Sequence, residues 1–133
     1  MTETDAGSPL AQKLGLRRGA RVWFGGLPDN VRAELDPARL GVDEHEAPSA
    51  GLDYVHLFCT DRATLEHQLT AVCDLIDAAA IVWVSWPNSR GADRLGKDAV
   101  REIAEPLGLT IAGQCQLNDE WSALKLMIRR SLG

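Results

Sequence analysis

Ala-Ile-Val-Trp-Val-Ser, residues 80–85, is the stretch that decides the fold. Its side chains are apolar on both faces, which is typical of a central parallel strand covered by helices on each side. Residues 86–91, Trp-Pro-Asn-Ser-Arg-Gly, contain the proline and the glycine of a loop that follows this strand. The stretch therefore predicts a parallel sheet that lies between two layers of helices.

Strands and helices alternate on the N-terminal side of this strand. The strand patterns cover residues 21–24 and 54–58, with a weak one at residues 40–42 inside a stretch, residues 37–51, that is otherwise a loop. The helix patterns cover residues 9–14, residues 28–35, and a longer segment from Thr60 or Asp61 to about Ile76. Alternation of this kind indicates parallel strands joined by right-handed helical crossovers.

The C-terminal side adds a helix and a hairpin. Apolar residues at helical spacing, ending near Pro106, predict the helix. Residues 109–115 and 121–128 read as two strands with a connection short enough for an antiparallel hairpin. We therefore expect one three-layer α/β domain over residues 8–133, with a mostly parallel sheet and a C-terminal antiparallel hairpin, after a disordered tail at residues 1–7.

Composition and charge limit the classes of partner. The chain has 133 residues, 45% of them hydrophobic, and a formal net charge of -5 without a basic stripe, so we expect no nucleic-acid partner. No segment approaches the roughly 20 apolar residues that a membrane helix needs, and residues 1–7 lack the features of a signal peptide. The three cysteines form no C-x-x-C pair, which favours a reducing compartment. We expect a cytoplasmic protein with no membrane partner.

Several stretches carry a resemblance to two known families. Residues 14–22, and the strand at 80–85 followed by a helix and a hairpin, resemble the class I S-adenosylmethionine (SAM) methyltransferases, a Rossmann-like family. Residues 9–15, 55–58, 83–87 and 119–125 are similar to a family of small bacterial proteins known as domain of unknown function number thirty fifty-two. The second resemblance covers nearly the whole chain and implies no particular activity.

The methyltransferase resemblance implies a SAM site that this sequence fills incompletely. Such a site has a glycine-rich turn after the first strand and an acid at the end of the second. Here Gly25 and Gly26 remain, whereas Phe24, Pro28 and Asn30 occupy the other motif positions. About fifteen residues separate Pro37 from Leu52, and a parallel crossover alone takes about a dozen. We therefore expect at least one early strand to be missing and no bound cofactor. SAM remains the open alternative, because Asp43 lies near the spacing expected of a ribose-binding acid.

Ligands of open parallel sheets bind outside the carboxyl ends of the strands. The candidate ligand-binding residues at that edge are Gly25, Gly26, Asp43, Thr60, Trp86, Asn88, Arg90, Asp119, Glu120 and Trp121. Trp86 and Asn88 are suited to stacking on and reading a flat ligand, and Asp119 and Glu120 to general acid or base work. The alternatives are a packing role for both tryptophans, an Asx turn at Asn88 and an ordinary hairpin turn.

No residue is assigned a catalytic role. His56 lies in the middle of a strand, which favours a buried structural histidine, and no histidine pair has the spacing of a zinc site, so we expect no metal. Three functions remain open. The first is a non-catalytic interaction or small-molecule-binding module, the second is a small SAM-dependent transferase or other enzyme, and the third is an oligomerisation module that uses an open sheet edge, with a homo-oligomer as its product.

Overall fold

A computed structural model of the chain describes residues 9–88 and 95–128. The helices in these ranges are α1 (Pro9–Leu14), α2 (Asp29–Leu35), α3 (Pro37–Leu40), α4 (Arg62–Cys73) and α5 (Lys97–Ala104), with a 3-10 turn at Glu105–Leu107. The strands are β1 (Arg21–Gly25), β2 (Asp43–His45), β3 (Leu52–Phe58), β4 (Ile76–Pro87), β5 (Leu109–Gln116) and β6 (Trp121–Ile128). The predicted tail at residues 1–7 lies outside the described residues.

One sheet contains all six strands of the described ranges, in the order β2-β1-β3-β4-β6-β5. The pairs β1–β2, β1–β3 and β3–β4 are parallel. Strand β6 runs antiparallel to both of its neighbours, β4 and β5. The predicted fold class, a mostly parallel α/β sheet with an antiparallel C-terminal hairpin, is confirmed.

Helices cover both faces of the sheet, because the strands carry apolar residues on both sides. On one face, side chains of α1, α2 and α3 pack on Val22, Tyr54 and Trp83. The Trp83 indole Nε1 donates a hydrogen bond of 2.8 Å to the backbone carbonyl of Leu14 and so fixes α1 on this face. On the other face, side chains of α4 and α5 pack on strand residues such as Val82. The three-layer arrangement follows from these two cores.

Helix α4 and strand β4 differ from the sequence expectation at their boundary. The carboxylate of Asp61 accepts a 2.7 Å hydrogen bond from the backbone N–H of Thr64, as expected of a cap. The helix ends at Cys73, however, so the expectation that Ile76 lies on its buried face was wrong. Ile76 instead begins β4, where it pairs with Leu52 of β3. A cross-strand partner here outweighed the continuing helical spacing, which is a purely local signal.

The segment after α2 also differs from its expectation. The weak strand expected at residues 40–42 is absent, and Pro37 instead starts α3, in which Leu40 is buried. Gly41 ends that helix in the left-handed conformation, with φ of 91°, and the edge strand β2 follows at Asp43–His45. Only residues 46–51 then join β2 to β3, too few for a further parallel crossover. The reduction of the early region is therefore as predicted.

Candidate functional site

The predicted ligand-binding loops meet at one edge of the sheet. Strands β1, β3 and β4 end there at Gly25, Phe58 and Pro87, and β6, which runs the opposite way, begins there at Trp121. Gly25, Gly26, Thr60, Trp86, Asn88, Asp119, Glu120 and Trp121 lie along this edge or in the loops directly beside it. Arg90, the remaining candidate in these loops, lies outside the described residues.

Asp43 lies at the opposite end of the sheet, because it pairs with Arg21 at the amino end of β1. Its expected placement at the carboxyl end of the second strand was wrong, since the strand begins at Asp43 rather than ending before it. The next acid, Glu44, is held by Arg32 of α2 in a two-point ion pair of 2.9 and 2.7 Å, which lowers the pKa of its carboxyl. Glu46 follows His45 directly, so it is the exposed acid nearest the carboxyl end of β2.

Both glycines of the first turn are explained by packing inside the protein. Gly26 has a φ of 74°, and a Cβ atom there would lie 2.8 Å from the backbone oxygen of Phe58. A Cβ atom on Gly25 would lie 3.0 Å from Cδ2 of Leu57 and 3.3 Å from the side-chain amide of Gln68. The glycines therefore let the ends of β1 and β3 approach each other closely, whether or not a ligand is bound.

Asn88 joins the end of β4 to the hairpin connection. Its backbone N–H donates to the carbonyl of Glu120 at 2.8 Å, and its Nδ2 donates to the carbonyl of Asp119 at 2.9 Å. Its Oδ1 accepts a short hydrogen bond from the hydroxyl of Ser122. Asn118 forms an Asx turn, since its Oδ1 accepts from the backbone N–H groups of Glu120 at 2.8 Å and Trp121 at 3.0 Å. The hydrogen bonds of Asn88 that the structure describes thus run across strands, whereas an Asx turn at Asn88 would involve Arg90, which lies outside the described residues.

The two candidate tryptophans lie on opposite faces of the sheet. Trp86 pairs with Ser122, whereas Trp121 pairs with Pro87, one register position further along. Side chains of successive strand residues point to opposite faces, so Trp86 packs on the α4–α5 side and Trp121 on the α2 side. The two indoles therefore belong to different surfaces, although both are close to the same edge.

Trp121 forms one wall of an open pocket of about 610 Å³, here called the α2–β6 pocket. Its lining residues are Pro28, Asn30, Pro87, Asn88, Asp119, Glu120 and Trp121. The side-chain Nδ2 of Asn30 donates a 3.0 Å hydrogen bond to Oε1 of Glu120 and so bridges α2 and the hairpin. Pro28 and Asn30 were not among the predicted site residues. The signal that could have identified them is their position at the start of the helix that directly follows Gly25 and Gly26.

Behind this wall lie the ring of Phe58 and, behind that, a buried histidine. Trp121 meets Phe58 edge-on at 5.2 Å between ring centroids, and Phe58 stacks on His56 at 4.2 Å. His56 is fully buried, with its Nε2 2.6 Å from the hydroxyl oxygen of Ser85, and burial lowers the pKa of its imidazole to about 3. The imidazole is therefore neutral at physiological pH.

The buried cysteine and the possible metal ligands of the described residues offer no reactive centre. Burial raises the pKa of the Cys59 thiol to about 12, so this cysteine stays protonated. Within residues 9–88 and 95–128, no group of three or more histidine, cysteine, aspartate or glutamate side chains is placed to hold a metal ion. In the same ranges, no helix has the length and apolar character needed to cross a membrane.

Several solved proteins, two methyltransferases among them, share this architecture. A protein assigned to the type 11 methyltransferases, from Sulfolobus solfataricus, matches with a TM-score of 0.63 at 10% identity, over 94% of this chain and 92% of that protein. The Burkholderia thailandensis 1,6-didemethyltoxoflavin-N1-methyltransferase, solved with S-adenosylhomocysteine (SAH), gives 0.60 at 13% identity, over 96% of this chain and 77% of its own. LepI in complex with SAM gives 0.55 at 14% identity and covers 93% of this chain, which spans about half (47%) of LepI.

No family model and no curated protein matches the chain. The resemblance to the small bacterial family of unknown function therefore stays a prediction. Identities of 10 to 14% in the solved structures establish an architecture rather than an activity. The chain has a Rossmann-like α/β fold of the methyltransferase type.

Proposed function

We propose that the chain is a small-molecule-binding domain that keeps the methyltransferase-like fold without methyl transfer. The observation that carries this proposal is the six-residue connection, residues 46–51, between β2 and β3. A crossover to a further parallel strand takes about a dozen residues or more. The strand and helix that would help to enclose an adenosine group have no room in this connection.

The α2–β6 pocket is the binding site in this proposal. It lies at the carboxyl edge of the sheet, where open α/β sheets bind their ligands. Its volume of about 610 Å³ falls in the range of small-molecule sites, and it combines an aromatic wall with polar side chains. Hydrogen bonds of Asn88 and Asn30 hold its lining in place before a ligand arrives. Such preorganisation lowers the entropy cost of binding.

Native mass spectrometry and calorimetry together test the proposal. The full chain purified from cells is expected to carry a small molecule, and titration with SAH at millimolar concentration is expected to give no binding heat. Trp121→Ala removes the aromatic wall and should release the molecule, whereas Thr70→Ala on the exposed side of α4 should retain it. Micromolar binding of SAH would refute the proposal.

A SAM-dependent transferase is the second candidate, and the position of Glu46 favours it. This exposed acid directly follows the carboxyl end of β2, where the resemblance implies a ribose-binding acid. The matched pair Glu46→Ala and Asp43→Ala separates the candidates. SAH binding that is lost in the first variant and kept in the second would establish a cofactor site at β2.

A further inference from the structure

Among the described residues, the lining of the α2–β6 pocket carries negative charge and no cation. Asp119 and Glu120 are both exposed there. The seven lining residues include no lysine, arginine or histidine. Two carboxylates in one lining favour a positively charged occupant, because opposite charges at a partly enclosed surface attract more strongly than in bulk water.

The hydrogen-bonding groups of the lining point to the same chemistry. The backbone N–H and one hydrogen of Nδ2 of Asn88 donate to the hairpin, and one hydrogen of Nδ2 of Asn30 donates to Glu120, so the second hydrogen of each amide and the indole N–H of Trp121 are the donors left in the described lining. The two lining prolines have no N–H to offer. Among the described residues, by contrast, the Asp119 carboxylate has no hydrogen-bond donor, and Glu120 keeps its second carboxylate oxygen. An ionised carboxylate only accepts hydrogen bonds, so the occupant must donate them.

Trp121 supplies the third element, an aromatic surface held in a fixed position. The indole is half-buried and rests edge-on against Phe58, with 5.2 Å between the ring centroids. A tryptophan ring attracts cations to its face and also packs against flat apolar groups. Pro28 and Pro87 add rigid apolar surface to the lining. An ammonium group near the carboxylates and an apolar body beside the indole would use both features.

Building on the proposed function, we infer that the α2–β6 pocket binds an organic cation, an amine or amidine attached to a flat or apolar body. The carboxylates of Asp119 and Glu120 accept hydrogen bonds from the cationic head. The indole of Trp121 contacts the body. The pocket discriminates by charge against anions of the same shape, because two carboxylates would repel an anion.

A set of shape-matched fragments tests this inference on the full chain. Tryptamine, tryptophol and indole-3-acetate share an indole and differ in carrying an ammonium, a hydroxyl or a carboxylate, and benzylamine, benzyl alcohol and benzoate form a second set. Ligand-observed NMR should show binding of the amines, at least tenfold weaker binding of the alcohols, and none of the carboxylates. Raising the salt concentration should weaken amine binding, because the carboxylates are exposed to solvent.

Two conservative variants locate the effect. Glu120→Gln keeps an oxygen for Asn30 but removes one charge, and should weaken amine binding about fivefold, as expected for one exposed ion pair. Glu102→Gln on α5, an exposed acid paired with Arg62, is the matched control and should change nothing. Equal binding of amines and alcohols, or preference for the carboxylates, would overturn the cation inference and leave the proposed function standing. Absence of binding by every fragment, together with no co-purifying molecule, would overturn both.

Discussion

Acid sensitivity of the fold should depend on His56, whose imidazole is fully buried beside Ser85. Burial lowers the pKa of His56 to about 3, against an ordinary value near 6.5. The folded state therefore binds fewer protons than the unfolded state between these two pH values, and its stability falls as the pH falls through that window. The free energy of unfolding should drop by about 1.4 kcal/mol per pH unit below pH 6.5. Between pH 7 and pH 4.5 the loss from His56 amounts to about 3 kcal/mol.

Urea denaturation followed by tryptophan fluorescence measures this loss, since the chain has four tryptophans. The wild type is compared with His56→Gln, which can keep a hydrogen bond to Ser85 but does not titrate. We expect the curve of unfolding free energy against pH to be flatter for this variant above pH 4.5. Acids whose pKa is lowered, such as Glu44, weaken the fold mainly below that pH, so they do not mask the difference.

The matched control is His67→Gln, because His67 is exposed on α4. This variant should keep the pH dependence of the wild type. Parallel curves for the wild type and His56→Gln would refute the reasoning, since they would mean that His56 gains a proton without unfolding. The core around Phe58 and Ser85 would then be open to water.

Three further predictions concern the carboxyl edge of the sheet. Gly26→Ala should destabilise the protein by about 1 to 3 kcal/mol more than Gly108→Ala in urea denaturation. Both positions have positive φ, but only at Gly26 would a Cβ atom lie 2.8 Å from a backbone oxygen. Equal losses of unfolding free energy in the two variants would contradict the packing role of the turn. Asn88→Ala removes the two side-chain hydrogen bonds to Asp119 and Ser122 and keeps the backbone bond to Glu120. It should lower the melting temperature, with faster hydrogen exchange at Glu120 than in the wild type. Unchanged exchange would show that the Asn88 side chain does not hold the hairpin. Cys59 is 1% exposed, so its thiol should resist iodoacetamide in the native protein and react in urea. Peptide mass spectrometry measures the labelling, and labelling of the native protein would contradict the burial of Cys59.

The sequence predicted the fold class because hydrophobic patterns are local and strong. The apolar run at residues 80–85 is covered on both faces in the structure, as the pattern indicated. The predicted hairpin at the C-terminus is also present, with β5 antiparallel to β6. The length of chain between Pro37 and Leu52 was enough to predict the reduced early region, since a crossover has a minimum length.

The sequence failed where pairing between distant segments decided the outcome. Ile76 continued a helical spacing but joined a strand beside Leu52. Asp43 had a suitable distance from the glycines, yet the register with Arg21 put it at the amino end of the sheet. Neither result is visible in a local pattern, because the partner that selects the conformation is more than twenty residues away.

The sequence by itself determined the layered α/β architecture and the edge of the sheet where a ligand would bind, because side-chain periodicity and strand direction follow from local chemistry. Only the tertiary structure decided which residues share a surface at that edge. Strand register placed Trp86 and Trp121 on opposite faces, and the approach of α2 brought Asn30 to Glu120. The physical reason is that a shift of one residue in register reverses the face of a side chain, and register is fixed by the packing of the whole sheet.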